Sequence, residues 1–210
     1  MKLIIITGPE FIPDEAKIIN HLFRNGMACL HVRKPESNEA ELSALLEQID
    51  PGFLGKTAIH QHHQLAEKFG IKRLHLTEQN RMQTSPDQLE LFIEKKFVLS
   101  TSVHHVIDIG KLSPHFSYTF FGPVFDSISK KGYHTSLPDP FYFDKALKKI
   151  PVIGLGGVDI TNLEKAKKMN LDGVAVLGAL WQNPAHAAAH FISLQKEMEQ
   201  LSEINCQPEK

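Results

Sequence analysis

Two sets of residues in this sequence have the types and spacing to do chemistry, and the first is a pair of glycine-rich turns. Gly154-Leu155-Gly156-Gly157 and Gly178-Ala179-Leu180 each follow a short apolar run. Backbone without a Cβ lets N–H groups approach an anion, and the start of a short helix adds the positive end of its dipole. Glycines at strand ends also serve simply to turn the chain. Their recurrence at two successive strand ends favours an anion, and Gly154, Gly156, Gly157, Gly178 and Ala179 are the candidate phosphate-binding residues.

The second set is polar and titratable. Side chains two apart on a strand share a face, so His31 and Arg33 point the same way, with Cys29 deeper on that face. Ser100, Ser102 and His104 line up in the same manner on a later strand. Arg33 can hold a carboxylate or phosphate bidentately, while histidine is the side-chain type suited to moving protons at physiological pH, which makes His31 and His104 acid–base candidates. These three are the candidate catalytic residues, with Ser102 beside them on the substrate; the alternative is a polar cluster whose members satisfy one another.

His60 and His62, at i and i+2 near a strand end, have the spacing of a zinc pair, with His75 and His104 as further nitrogen donors. Such sites also take an acidic ligand, and no Asp ends the eighth strand. Histidines at a helix start usually face solvent, so no metal site is assigned. A long loop carries Gly122, then Ser127, Ser129 and Lys130. Hydroxyls and an ammonium there suit a second anionic group that the loop closes over, excluding water; a lysine pair on a surface otherwise only holds water.

These residues need elements to place them, and short β-rich runs alternate with helical patterns along the whole chain. Strands are expected at residues 3–6, 28–33, 57–60, 73–77, 97–102, 118–122, 151–154 and 173–177. Helices are expected from residue 13, over 39–49 with Ser37-Asn38 as cap candidates, up to Gly70, over 86–94 and 161–169, and at 184–201 behind Pro184. Parallel strands joined by crossovers make an α/β fold. Gly8-Pro9-Glu10 after the first strand has no dinucleotide fingerprint. Eight units in 210 residues therefore fit a closed (β/α)8 TIM barrel, with residues 1–201 as one domain and 202–210 as a polar tail. The segment 123–140 is the longest stretch without an assigned element, a length that is often functional.

The formal net charge of −1, with no basic block, argues against nucleic acid or an anionic membrane as partner. With only Cys29 and Cys206, a structural disulfide is not expected, which fits a reducing compartment. The apolar start stops at Gly8-Pro9, too soon for a signal peptide or a membrane span, so a cytoplasmic protein is expected. Barrels of this size commonly pair, so a homodimer is one assembly open to the chain.

Several segments together resemble the thiamin phosphate synthase/TenI superfamily: Leu30-His31-Val32-Arg33, Ile59 through Ala66, Leu74-His75-Leu76, Ser102-Val103-His104, Phe121-Gly122-Pro123-Val124-Phe125, Ser129-Lys130-Lys131, and Val152 through Gly157. The resemblance implies a closed barrel, a small thiazole phosphate ligand held at Gly156, Gly157 and Gly178, and a role in thiamin (vitamin B1) synthesis. The synthase branch joins a hydroxymethylpyrimidine diphosphate to the thiazole phosphate and uses Mg²⁺ on two aspartates; Gln61 and Asn80 stand at those positions here. Arg33, Ser102, Ser127, Ser129 and Lys130 match that branch's substrate contacts. The family's strand-two glutamine and lysine are replaced by His31 and Pro35, with Lys34 one place early. The TenI-like branch aromatises a thiazole carboxylate phosphate tautomer by acid–base chemistry without a metal, and His31 resembles that branch, although its later histidine is Pro123 here. A TenI-like thiazole tautomerase is the leading expectation, with Mg²⁺ a cofactor only for the alternative, a thiamin phosphate synthase. A relative that binds thiazole phosphate without turnover is the third.

Overall fold

The eight apolar runs pair in chain order into a closed parallel barrel, seen in a computed structural model that describes residues 1–126 and 134–203. The strands are β1 (Lys2–Ile6), β2 (Leu30–Val32), β3 (Thr57–Ile59), β4 (Arg73–Leu76), β5 (Val98–Val103), β6 (Phe116–Phe121), β7 (Val152–Leu155) and β8 (Gly173–Val176). Ile4 stands opposite Ala175 where β1 meets β8, and this pairing closes the ring. The helices outside are α1 (Glu15–Arg24), α2 (Glu39–Glu47), α3 (Pro51–Leu54), α4 (Leu65–Lys68), α5 (Glu78–Gln83), α6 (Pro86–Glu94), α7 (Val106–Ile109), α8 (Leu163–Lys168), α9 (Gly178–Trp181) and α10 (Ala187–Glu203).

Strand alternation divides the buried side chains between two cores. Outward residues such as Ile5, Leu30, Ile59, Leu74, Val152 and Val174 pack under the helices. Inward residues Ile4, Ile6, Cys29, Tyr118, Phe120, Ile153 and Ala175 fill the barrel. Asn38 caps α2 reciprocally with Glu41, as its position suggested. Two expected helices open with a 3₁₀ turn, Ile160–Asn162 before α8 and Pro184–His186 before α10. The single turns α3 and α7 escaped the sequence reading because four residues are too few to show a helical period. Ser127, Ser129 and Lys130 lie outside the described residues, as does the tail from residue 204. Among the described residues no helix is long and apolar enough to cross a membrane.

Candidate active site

A cavity of about 350 Å³ opens at the carboxyl ends of the strands. One wall is Leu155, Gly156, Gly157 and Val158 after β7, continuing to Leu177, Gly178 and Ala179 after β8. Arg33, Thr77, Glu78, Ser102 and His104 form the opposite side, and His60 and His75 lie among its deep residues. A side pocket of about 100 Å³ adjoins it, where Gly122 and Pro123 meet Ser102 and His104.

The glycine wall presents free donors. Among the described residues, the N–H groups of Gly156, Gly157, Gly178 and Ala179 meet no protein acceptor. The chain leaving β6 lies against the back of this turn, where Val124 N–H donates to the Leu155 carbonyl at 3.0 Å and Phe125 N–H to Gly156 at 3.1 Å. Asn162 Nδ2 donates to the Gly157 carbonyl at 2.8 Å and holds the turn from outside. Gly156 and Gly157 take φ of +95° and +68°, a left-handed backbone, and a Cβ on Gly157 would come 2.3 Å from the Asp126 carbonyl. Trp181 Nε1 donates to the Ile6 carbonyl at 2.6 Å and pins α9 to the end of β1. Gly154 differs from its neighbours: it does not line the cavity, and a Cβ there would strike Leu171 at 2.6 Å in the outer core. Its place is a packing requirement, set by strand parity.

The floor is a histidine cluster contributed by three adjacent strands. His31 Nδ1 lies 2.9 Å from His60 Nε2, and His31 Nε2 lies 2.6 Å from the Tyr118 hydroxyl. His75 stacks on His60 with ring centroids 4.0 Å apart, and its two nitrogens meet the Ser100 and Ser102 hydroxyls at 3.0 and 2.9 Å. Burial holds all three rings neutral: His31 is lowered to about 3, helped by the charge of Arg73. His60 and His75 are pushed well below the usual histidine range, again mainly by burial and then by the neighbouring imidazoles. Burial also pushes the Tyr118 hydroxyl and the Cys29 thiol up, so both stay protonated.

The other sequence candidates are distributed around this floor. His31 is fully buried and lies behind His60 rather than on the cavity surface. Arg33 lines the cavity, and among the described residues no carboxylate is within ion-pair distance of its guanidinium. His104 sits at the half-exposed rim with Nδ1 2.6 Å from Glu78. The zinc-spaced pair is not brought together: His62 turns out through a φ of +52° and meets the Ser37 carbonyl at 2.7 Å. Instead His31, His60 and His75 bring ligand nitrogens within 4.8 Å of one another, a set of neutral imidazoles that suits a transition metal such as zinc.

Sequence reasoning missed Glu78 and Tyr118. Tyr118 is two residues from inward-facing Phe120, so strand parity alone signals it. Glu78 follows the end of β4 at the start of α5 and carried no local signal. At the family's magnesium positions, Gln61 accepts the Lys34 N–H through its Oε1 at 3.0 Å, and exposed Asn80 sits in the first turn of α5 with its N–H on Thr77. Neither lines the cavity. Lys34 does not replace the family's strand-two lysine, because its ammonium is buried against Glu15 at 2.7 Å on the far side of the strand end.

Fold and site together define a (β/α)8 barrel with an open, donor-lined cavity at the carboxyl ends of its strands. The profile of the thiamine monophosphate synthase family matches residues 3–180, and the chain belongs to that family, which is one of enzymes. It is 21% identical over 208 residues to a thiamine-phosphate synthase of Rhodospirillum centenum, covering 94% of this chain and 97% of the relative. A thiamine-phosphate synthase of Hydrogenobaculum is 22% identical over 201 residues, covering 92% of each. The crystal structure of a thiamine phosphate pyrophosphorylase from Bacteroides thetaiotaomicron superposes with a TM-score of 0.77 at 30% identity, covering 95% of this chain and 98% of that one.

Proposed function

We propose that this protein of thiamin biosynthesis binds thiazole phosphate at the glycine wall and aromatises a thiazole carboxylate phosphate tautomer, as the TenI-like branch does. The observation that carries this reading is one cavity with unengaged N–H groups on one wall and neutral imidazoles on its floor. Dianions are held well by such donors in a partly dry site. Arg33 suits the ligand carboxylate bidentately, and Ser102 and Gly122 border the ring. In this reading Ser127, Ser129 and Lys130, which lie outside the described residues, contact the second anionic group. Proton transfer needs acid–base groups near the ligand; the cluster containing His31 and the rim residue His104 supply candidates.

Magnesium fits these residues poorly. Mg²⁺ favours carboxylate oxygens, whereas the positions that hold it in the family carry two amides, one engaged with the backbone of Lys34. The one carboxylate among the described residues that line the cavity, Glu78, is already shared between His104 at 2.6 Å and Arg81 at 3.6 Å. The names of the relatives favour a second reading, a synthase in which the substrate diphosphate itself would carry most of the metal's ligands. The deciding experiment follows the ultraviolet change of tautomer aromatisation with and without protein, beside a two-substrate assay with Mg²⁺. An unchanged aromatisation rate would dismiss the tautomerase, and formation of thiamin phosphate above background would establish the synthase.

A further inference from the structure

The barrel has a second opening, at the amino ends of its strands. A cavity of about 430 Å³ lies there, and it shares no lining residue with the cavity at the carboxyl ends. Cys29 and Tyr118 of the inward core line it, as does Arg73, which shares its face of β4 with the floor residue His75. Lys2, two before inward Ile4, stands at its edge, and Phe191 and Met198 of α10 add apolar wall. Arg73 has no counter-charge. Among the described residues its Nε is shut off from solvent without a hydrogen-bond partner, and no carboxylate is within ion-pair distance of its guanidinium. The charge is felt higher in the barrel, where after burial it is the second cause that holds His31 neutral. A guanidinium drawn out of water without a partner is costly, and a bound anion offsets that cost.

We propose that this amino-end cavity is a second binding site, which takes a small organic carboxylate with an apolar body. The planar fork of Arg73 matches a carboxylate in two-point contact. Ile4, the Tyr118 ring, Phe191 and Met198 supply the apolar wall against which the body of the ligand packs. Lys2 adds a second positive charge at the exposed edge, while exposed Glu199 brings one negative charge to the same cavity. That carboxylate opposes a dianion more than a monoanion, which favours an organic carboxylate over phosphate. The glycine wall at the other end of the barrel has the opposite character, with backbone donors suited to a dianion. The second site goes beyond the tautomerase reading and stands whether or not that reading does.

The test is titration of the full chain with benzoate, acetate and inorganic phosphate, followed by calorimetry and by NMR of the arginine side chains. Benzoate is expected to saturate one site, with acetate, which lacks the apolar body, about tenfold or more weaker. Arg73→Met is expected to weaken benzoate binding at least about tenfold. Arg33→Met, which removes the guanidinium at the carboxyl end, is expected to leave benzoate binding unchanged. In the wild type the Arg73 Nε–H resonance is expected to move as benzoate is added, a readout that needs no variant to fold. Absence of saturable benzoate binding overturns the proposal, as does an unmoved Nε–H resonance. Wild-type affinity in folded Arg73→Met, or loss of binding in Arg33→Met, also overturns it. Phosphate that binds as tightly as benzoate overturns the carboxylate class.

Discussion

His31 Nδ1 and His60 Nε2 stand 2.9 Å apart inside the barrel, a contact that works only while at least one ring is uncharged. Two imidazolium rings would both be donors there, without water to screen them. With His75 stacked on His60, the floor holds three imidazoles whose neutrality is a condition of the fold.

That condition predicts the dependence of stability on pH. His31 is lowered to about 3 in the folded chain, and His60 and His75 are also pushed well down. The unfolded chain therefore binds more protons than the folded one below about pH 6.5, and stability is lost as pH falls below that value. Each ring that stays neutral forfeits about 2 kcal/mol between pH 7 and 5. Urea unfolding at the two pH values should show the loss, and a His31→Gln, His75→Gln variant should show a flatter profile. Equal stability of the wild type at both values would contradict the neutral cluster.

The anion wall can be tested without disturbing the core. Ala179 lies in the first turn of α9, where proline is tolerated and only removes an N–H. Ala179→Pro should weaken thiazole phosphate binding by about 1.5–3 kcal/mol, the value of a charge-assisted hydrogen bond, with melting temperature nearly unchanged. Calorimetric titration would measure it; wild-type affinity would show that this amide does not hold the ligand.

Lys34 and Glu15 form a different kind of buried pair. The ammonium donates to Glu15 at 2.7 Å and to the carbonyls of Gly8 and Glu10 at 3.0 and 2.6 Å, tying the β1–α1 loop to the end of β2. Burial pushes the lysine down and the glutamate up, while their mutual attraction works in the opposite sense. Lys34→Met leaves a buried carboxylate with one oxygen already unpartnered, and should cost about 3–5 kcal/mol in urea unfolding. A loss below about 1 kcal/mol would show that the pair is not a fixed part of the fold.

The magnesium positions give a gain-of-function test. Gln61→Asp with Asn80→Asp would restore the carboxylates that a metal-dependent synthase uses. Product formed with Mg²⁺ by the double variant, and not by the wild type, would identify missing charge as the obstacle. No product from either would point to the cavity shape, and abundant wild-type product would favour the synthase.

Much of this protein is written in local periodicities. The eight apolar runs, the turns that separate them and the glycines after two of them were legible, because strand alternation and the conformational freedom of glycine act over a few residues. Even the shared face of Cys29 and His31 follows from parity. Residues that meet across strands were not legible. His60 read as half of a zinc pair with His62, yet the chain turns out at His62 and the partners of His60 come from β2 and β4. His31 read as a catalytic group on one face with Arg33, yet it is fully buried one layer beneath the cavity surface that Arg33 lines.

The sequence by itself determined a barrel of parallel strands with donor-rich turns at one end, since each rule involved connects residues two to four apart. Tertiary structure alone decided that three histidines from neighbouring strands share one floor, that Lys34 points into the loop wall, and that Gly154 serves packing while Gly156 and Gly157 border the cavity. Those outcomes depend on inter-strand register and ring closure, which are set by the packing of the whole barrel rather than by any single segment.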